Sequence, residues 1–542
     1  MKNRLCGADV SRNFSESCVD DYSSIVDLFQ NATEAYGALP ALECFGAQMS
    51  FGELEQKSRT VAAYLQNELG VKKGDRVALM APNVFAFPIV MFGILRAGGC
   101  QVNVNPLYTP NELKHQLQDS GAETILIYSG SSSALVEIQD DTSIKNVITI
   151  DLADGTDLPI PKQVADTRLV GSIALAEILS GNFAKDFSLV ELSGDDLIFL
   201  QYTGGTTGPS KGATLHHRNL VANIRQFKAS LPNATAATEE VVVLALPLYH
   251  IFGLMLMLAY TSLGCRMILI PDPRDIGSLH SAIKSAGITV FPAVNTLFSG
   301  IALHPDSRQV DFSRLKVSIG GGAAIVESVS DKWHALTGQH ITEGYGLSEA
   351  SPLVTVTPTG RTYFSGTCGV PVPATDVKLL NDFGELVAHG ESGEICIAGP
   401  QVMSGYWRRP DANKESFTDD GFFRTGDIGV FEDNGDLRIV DRKKDMILVS
   451  GFNVFPNEIE AVVSEVDGVA ECSCVGRSDE KTGEAVRLFV VKVPNADVTE
   501  VQIVAHCRKE LTAYKIPRDI IFVDELPKSA VGKILRRKLR DG

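Results

Sequence analysis

No segment of this 542-residue chain stays apolar for the ~18 to 20 residues that a membrane span requires. The most apolar stretch, 241–270, is broken by Pro247, His250, Gly253 and Gly264. Cysteine pairing patterns are also missing. The ten cysteines are scattered without a C-x-x-C, and Cys472 and Cys474 form a lone C-x-C with no second pair, so no zinc site is read. So large a chain with so few cysteines is no disulfide scaffold, and reduced thiols in a cytoplasm are expected. There is no basic excess: the net charge of −17 argues against nucleic acid as a partner. Internal repeats, low-complexity tracts and the apolar core of a signal peptide are not found. The expected location is cytoplasmic, with peripheral contact to the inner face of the membrane left open. Monomer and homodimer are both left open.

What is present is ordinary globular composition, 44% hydrophobic and 21% charged, at a length of several domains. Strand-like segments at 76–80, 101–104, 123–128, 241–246, 267–270, 289–292 and 315–319 alternate with helical spacing at 85–97, 276–286 and 325–336. That rhythm predicts an α/β class of layered, mostly parallel sheets with helices. Segment 366–438 is rich in Gly, Pro and Asp with short alternating strands, and predicts a small antiparallel barrel or sheet. From 439 onward the pattern is that of a separate α+β unit, with a turn at 451–456 and a helix at 457–463. The expected domains are 1–443 and a mobile 444–542.

The densest chemical signal is Tyr202 to Gly212, YTGGTTGPSKG, directly after an apolar run. Four Gly, three Thr, one Ser and Lys211 suit a phosphate chain: backbone N–H groups can approach closely, hydroxyls donate and a lysine supplies charge. The order is not that of a Walker A loop, and Pro209 prevents a helical start. A solvated polar loop is the competing reading. Gly320 to Ala324 follows a strand and precedes a helix, where ligand crevices form, although a tight turn explains it as well. EGYGLSE, 343–349, offers Tyr345 to stack on a base and Glu349 as an oxygen ligand for Mg²⁺. The same stretch has a rival reading. Gly346-x-Ser348-x-Ala350 is one residue short of a nucleophile elbow, and an α/β serine hydrolase at Ser348 would recruit His389 or His506. Asp427, in FRTGD, suits a ribose diol. Lys533, in KSAVGK, is either functional or part of a solvated basic tail.

Six ordered stretches, YTGGTTGPSKGA, EGYGLSEASP, GEICIAGPQVMSGYW, FFRTGDIG, DRKKDMILVSGFNVFPNEIE and PKSAVGKILRR, resemble the adenylate-forming superfamily of acyl-CoA synthetases, luciferases and peptide-synthetase adenylation domains. VDRKKDMILVSGFNVFPNEIE and PLYHIFG are similar to bacterial long-chain fatty acid–CoA ligases. Ser348 stands where much of the superfamily has Thr. An acyl-gating Trp of one long-chain branch has no counterpart, since Trp333 and Trp407 are the two present.

The resemblance implies an AMP-forming ligase that makes an acyl-adenylate from ATP and a fatty acid, then transfers the acyl group to coenzyme A with Mg²⁺ as cofactor. Medium-chain or aryl (4-coumarate-type) acids are the alternative substrates. It further implies that Thr203, Gly204, Gly205, Thr206, Thr207, Gly208 and Lys211 hold phosphates. Gly322, Ala323, Tyr345, Gly346 and Ser348 would frame the nucleotide, and Asp427 and Arg442 the ribose. Glu349 and Thr206 would serve the metal, and His250 the carboxylate. Lys533 would be the catalytic lysine, Lys444 the hinge and Gly451 the lining of the coenzyme A tunnel. Met255 and Met257 are expected to line the acyl pocket.

Overall fold

The computed structural model describes residues 22–203, 209–450, 452–529 and 532–540. Two large sheets dominate. One has seven strands and is parallel except at its last pair, where Leu197–Thr203 runs antiparallel to Lys211–His216. The other has nine strands. Its centre, from Arg266–Leu269 through Val241–Leu244, Val290–Ala293 and Val317–Gly320 to Ile341–Gly346, is parallel, and its edges are antiparallel. The α/β layering follows from composition. The strands are short β-branched runs buried on both faces, which is how parallel strands read in sequence.

One continuous core joins the two sheets. The helix Ala86–Arg96, AFPIVMFGILR, is buried along its whole length. Gly93 brings it against the helix Phe51–Asn67, since a Cβ there would lie 2.6 Å from Val61. Phe92 stacks on Phe29 with centroids 3.8 Å apart. The helix Ile251–Ser262 is likewise apolar all round, and all of it but Phe252 is buried. Met255 and Met257 are therefore core residues here (1% and 0% exposed), packed rather than presented to a pocket.

A four-stranded antiparallel sheet follows: Asp376–Leu380, Gly393–Ala398, Phe423–Phe431 and Leu437–Arg442. It begins later than 366, because Val370–Pro371 pairs with the edge of the nine-stranded sheet instead. The last sheet has five strands, including Ile447–Val449, Val469–Asp479 and Gly483–Lys492. With the helices Pro456–Ser464 and Glu500–Glu510 it encloses a core of its own around Ile459, Val463, Cys474, Leu488 and Ile503. The expected turn at 451–456 contains a strand, Phe452–Val454, which forms a hairpin with Ile447–Val449.

The strand Ile341–Gly346 carries Glu343 and Tyr345. Gly346 marks a close backbone approach: a Cβ there would sit 2.2 Å from the Pro352 carbonyl oxygen.

Trp333 is fully buried among Phe291, Phe298 and Phe312, and its Nε1–H donates to Ser318 Oγ at 2.8 Å. It serves the core. Trp333→Ala should cost about 3 to 5 kcal/mol of stability, read as a lowered thermal midpoint; an unchanged midpoint would contradict this packing.

Candidate active site

The crevice lies at the carboxyl ends of strands from both large sheets, where ligands bind in open α/β folds. Leu197–Thr203 delivers Thr203. Val317–Gly320 delivers Gly320 to Ala323. Ile341–Gly346 delivers Glu343 and Tyr345, then turns through Ser348–Ala350. Thr203 and Lys211 are Cα partners, so the strand that begins at Lys211 returns antiparallel beside the one that ends at Thr203. Gly204, Gly205, Thr206, Thr207 and Gly208 lie outside the described residues, as does Gly451.

Glu349 is 8% exposed. Its Oε1 accepts from the Tyr406 hydroxyl at 2.7 Å and from Thr203 Oγ1 at 3.4 Å. Burial pushes its carboxyl above the usual range, while the Tyr406 hydrogen bond and the Arg442 charge oppose that shift. Ser348 is buried beside it. His389 faces Asp433 and His506 faces Glu465, and neither bonds Ser348, so the hydrolase arrangement is not assembled.

Gly322 adopts φ +78° and, like Ala323, is exposed along the rim. Tyr345 donates to Asp427 Oδ2 at 2.7 Å, and Arg442 Nε lies 3.1 Å from Asp427 Oδ1. Asp427 and Arg442 are paired in register on neighbouring strands. Asp427 is thus held from both sides, with lone pairs to spare for a diol. Strand alternation puts Glu343 on the same face as Tyr345. Burial raises the Glu343 carboxyl to about 8, with the Ile325 N–H as a partial counterweight.

His250 caps the helix Ile251–Ser262, and its Nδ1 accepts from the Phe252 N–H at 3.3 Å. Its loop is pinned by residues the sequence reading did not single out. Asn83 donates to the Leu244 and Leu246 carbonyls and accepts from the Leu248 N–H, and Gln201 donates to the Tyr249 carbonyl. Burial and the charge of Lys533 lower His250 to about 4, so the ring is neutral at physiological pH with its proton on Nε2. Lys533 is no solvated tail. Burial first, then Arg442, lowers its ammonium to about 8, and Asp427 opposes the shift. Gly532, at φ +74°, lets this loop dock on the large unit; a Cβ there would lie 2.7 Å from Thr296 Oγ1 and 3.1 Å from Val294.

Lys444 lies between the four-stranded sheet and the last one, and its carbonyl accepts from Arg540 at 3.4 Å. Around it, Arg536 bridges Asp441, Asp445 and Glu460. The sequence reading also missed Tyr406, whose one signal is its place after a glycine in the quoted stretch GEICIAGPQVMSGYW. Trp407 lies between Arg76 and Arg408.

Among the described residues no three or more His, Cys, Asp or Glu side chains cluster to hold a metal. One carboxylate and a hydroxyl at Glu349 and Thr203 do fit Mg²⁺, which typically takes one or two protein carboxylates, substrate phosphate oxygens and water.

An exposed glycine rim, a paired carboxylate with lone pairs to spare and a lysine from near the C-terminus make a crevice that suits a nucleotide-using enzyme. Residues 29–407 match the AMP-binding enzyme family and residues 458–533 match the AMP-binding enzyme C-terminal domain, and the chain belongs to this family. It is 49% identical over 534 residues to the long-chain-fatty-acid–CoA ligase of Salmonella typhimurium, covering 96% of this chain and 95% of that one. It is 45% identical to the Haemophilus influenzae protein of the same name, with 96% and 95% covered. Among solved structures it is similar to ATP-bound MatB from Rhodopseudomonas palustris, with a TM-score of 0.83 and 28% identity over 95% of this chain and 98% of that one.

Two outcomes follow from this geometry. Between about pH 4.5 and about pH 8 the unfolded chain has released the Glu343 proton while the folded chain keeps it, so this group makes the fold less stable as pH rises through that window. Glu343→Gln removes the slope. Its thermal midpoint relative to the parent should climb between about pH 5 and about pH 8; a flat difference would remove Glu343 from this role. Gly532→Ala combines a strained φ with a clash at Thr296, and should cut adenylate formation at least about tenfold, read by pyrophosphate exchange. Normal exchange would mean that the loop does not need this seat.

Proposed function

We infer that the protein is an ATP-dependent acid–CoA ligase that activates a long-chain fatty acid as its adenylate and passes the acyl group to coenzyme A, releasing AMP and diphosphate. The observation that carries this reading is the meeting of Lys533 with His250, Asp427 and Arg442 in one crevice, where the Lys533 charge adds to the burial that lowers His250, and Arg442 and Asp427 act on Lys533 in opposite senses. The names of the relatives support the same reaction and the long-chain acid.

In the first step a carboxylate oxygen attacks the α-phosphorus, the bond from that phosphorus to the β-bridging oxygen breaks, and diphosphate leaves. Lys533 and Lys211 offset the negative charge that gathers on the phosphoryl oxygens, and a Mg²⁺ held at Glu349 with Thr203 supplies further positive charge there. Neutral His250 can donate Nε2–H to the substrate carboxylate without adding a charge. Asp427 and Arg442 orient the ribose, and Tyr345 covers the base. In the second step the coenzyme A sulfur attacks the acyl carbon, the bond to AMP breaks, and the thiol proton is lost to solvent. The chain is read as two domains, 1–443 and 444–542, turning about Lys444 between the steps, with Thr206 near the metal and Gly451 on the pantetheine path.

Fatty acids of about 12 to 18 carbons should drive pyrophosphate exchange best, because each buried methylene adds up to about 0.8 kcal/mol of binding. Preference for acetate or a cinnamate-type acid would overturn the long-chain reading. Lys533→Ala should cripple exchange by about a hundredfold or more, the scale of removing one preorganised charge-stabilising donor. It should spare thioester formation from supplied acyl-adenylate, and a parallel loss in both half-reactions would reject its role in the first step alone.

A further inference from the structure

Tyr406 has a place in the crevice that the roles above leave unused. Its hydroxyl donates to Glu349 Oε1 at 2.7 Å, and its ring face carries the Lys211 ammonium 5.2 Å from the centroid. One side chain therefore touches both the acid assigned to the metal and the lysine of the phosphate loop. We propose that Tyr406 is a positioning residue for metal and phosphate together: its hydroxyl ties down one oxygen of Glu349 so that the other meets the metal, and its ring seats Lys211 beside the phosphates.

The backbone around Tyr406 is held as a tool of this kind requires. Tyr406 bridges Ala213 as an added strand, the Trp407 N–H donates to the Gly212 carbonyl at 2.8 Å, and the Thr214 N–H donates to the Gly405 carbonyl at 3.0 Å. Asn413 brackets it from the other side, accepting from the Tyr406 N–H at 2.6 Å and donating to the Tyr406 carbonyl at 3.1 Å. Gly405 has φ +144°, and a Cβ there would press on Asn413 at 2.8 Å. The tyrosine is thus clamped to the strand that begins at Lys211 while its hydroxyl reaches Glu349. The second hydroxyl on Glu349, from Thr203, reaches the same Oε1 at 3.4 Å, so both side-chain hydroxyls meet one oxygen. Both donors on one oxygen present the other as a single ligand. Groups that orient a metal-binding side chain in this way are worth about 10- to 100-fold in metal affinity. Burial and the adjoining carboxylate also keep the phenol protonated, so it remains a donor at any working pH.

The two functions of the side chain can be separated. Tyr406→Phe loses the hydroxyl and keeps the ring; Tyr406→Leu loses both. With Mn²⁺ as the probe, binding to the full-length protein with ATP is read by electron paramagnetic resonance, independently of turnover. Tyr406→Phe should weaken Mn²⁺ about tenfold or more and raise the KM for Mg²⁺, with kcat at saturating metal and the KM for ATP changed less than about twofold. Tyr406→Leu should raise the KM for ATP as well. Thr203→Val, which deletes the longer bond to the same oxygen, should weaken Mn²⁺ less than Tyr406→Phe. A purely structural tyrosine would lower the thermal midpoint and leave the Mn²⁺ affinity alone, and Mn²⁺ affinity within about twofold of the parent in Tyr406→Phe overturns the proposal. The inference rests on Glu349 as the metal ligand, so Glu349→Gln is measured beside it. If that variant also binds Mn²⁺ normally, the ligand assignment and this proposal fall together, while fatty-acid-dependent pyrophosphate exchange still judges the ligase reading separately.

Discussion

The ammonium of Lys533 sits where little water reaches it, and much of the crevice is arranged around that cost. Its proton is held less tightly than on a free lysine, because burial and the Arg442 guanidinium both disfavour the charge. Asp427 alone opposes them strongly, and Asp427 is itself shared with Arg442 and with the Tyr345 hydroxyl. A positive charge in that setting gains most when further negative charge arrives, as it does when a phosphoryl group passes through its transition state. Burial, with that charge added, keeps His250 neutral, so it offers a hydrogen bond without competing for the anion.

Bringing that lysine in depends on contacts across the two parts of the chain. Gly532 docks against Val294 and Thr296 only because it lacks a side chain. Arg536, four residues further on, bridges Asp441 at the end of the four-stranded sheet to Glu460 in the last unit. Burial raises the Asp441 carboxyl to about 6, with Arg536 opposing, so this joint too is built from charges taken partly out of water. Ion pairs of this type discriminate between arrangements more than they stabilise one, since each partner left alone is penalised.

Much of the scaffold was legible because local chemistry decides it. Arg76–Met80 was read to the residue, and the neighbouring strands to within one or two, since β-branched runs bounded by Gly and Pro have few other options. The misreadings share a cause. The stretch 451–456 was expected to be a turn, whereas Phe452–Val454 is a strand paired with Ile447–Val449. Met255 and Met257 looked available for a ligand, and their helix turned out to be enclosed on every side. Tyr406, Asn83 and Gln201 escaped notice because a tyrosine, an asparagine and a glutamine carry no motif of their own; their meaning lies in partners 57, 161 and 48 residues away.

By itself the sequence determined the alternating strands and helices, the glycine-rich turns, and which acids, lysines and hydroxyls the chain could bring to a phosphate. These depend on neighbours within a few residues and on the chemistry of single side chains. Tertiary structure alone decided that Tyr406 and Thr203 meet one oxygen of Glu349, that His250 is neutral, that burial raises the Glu343 carboxyl to about 8 and that it lowers the Lys533 ammonium to about 8. Desolvation and through-space charge come from segments distant in the chain, and both arise only once the sheets have closed around the crevice.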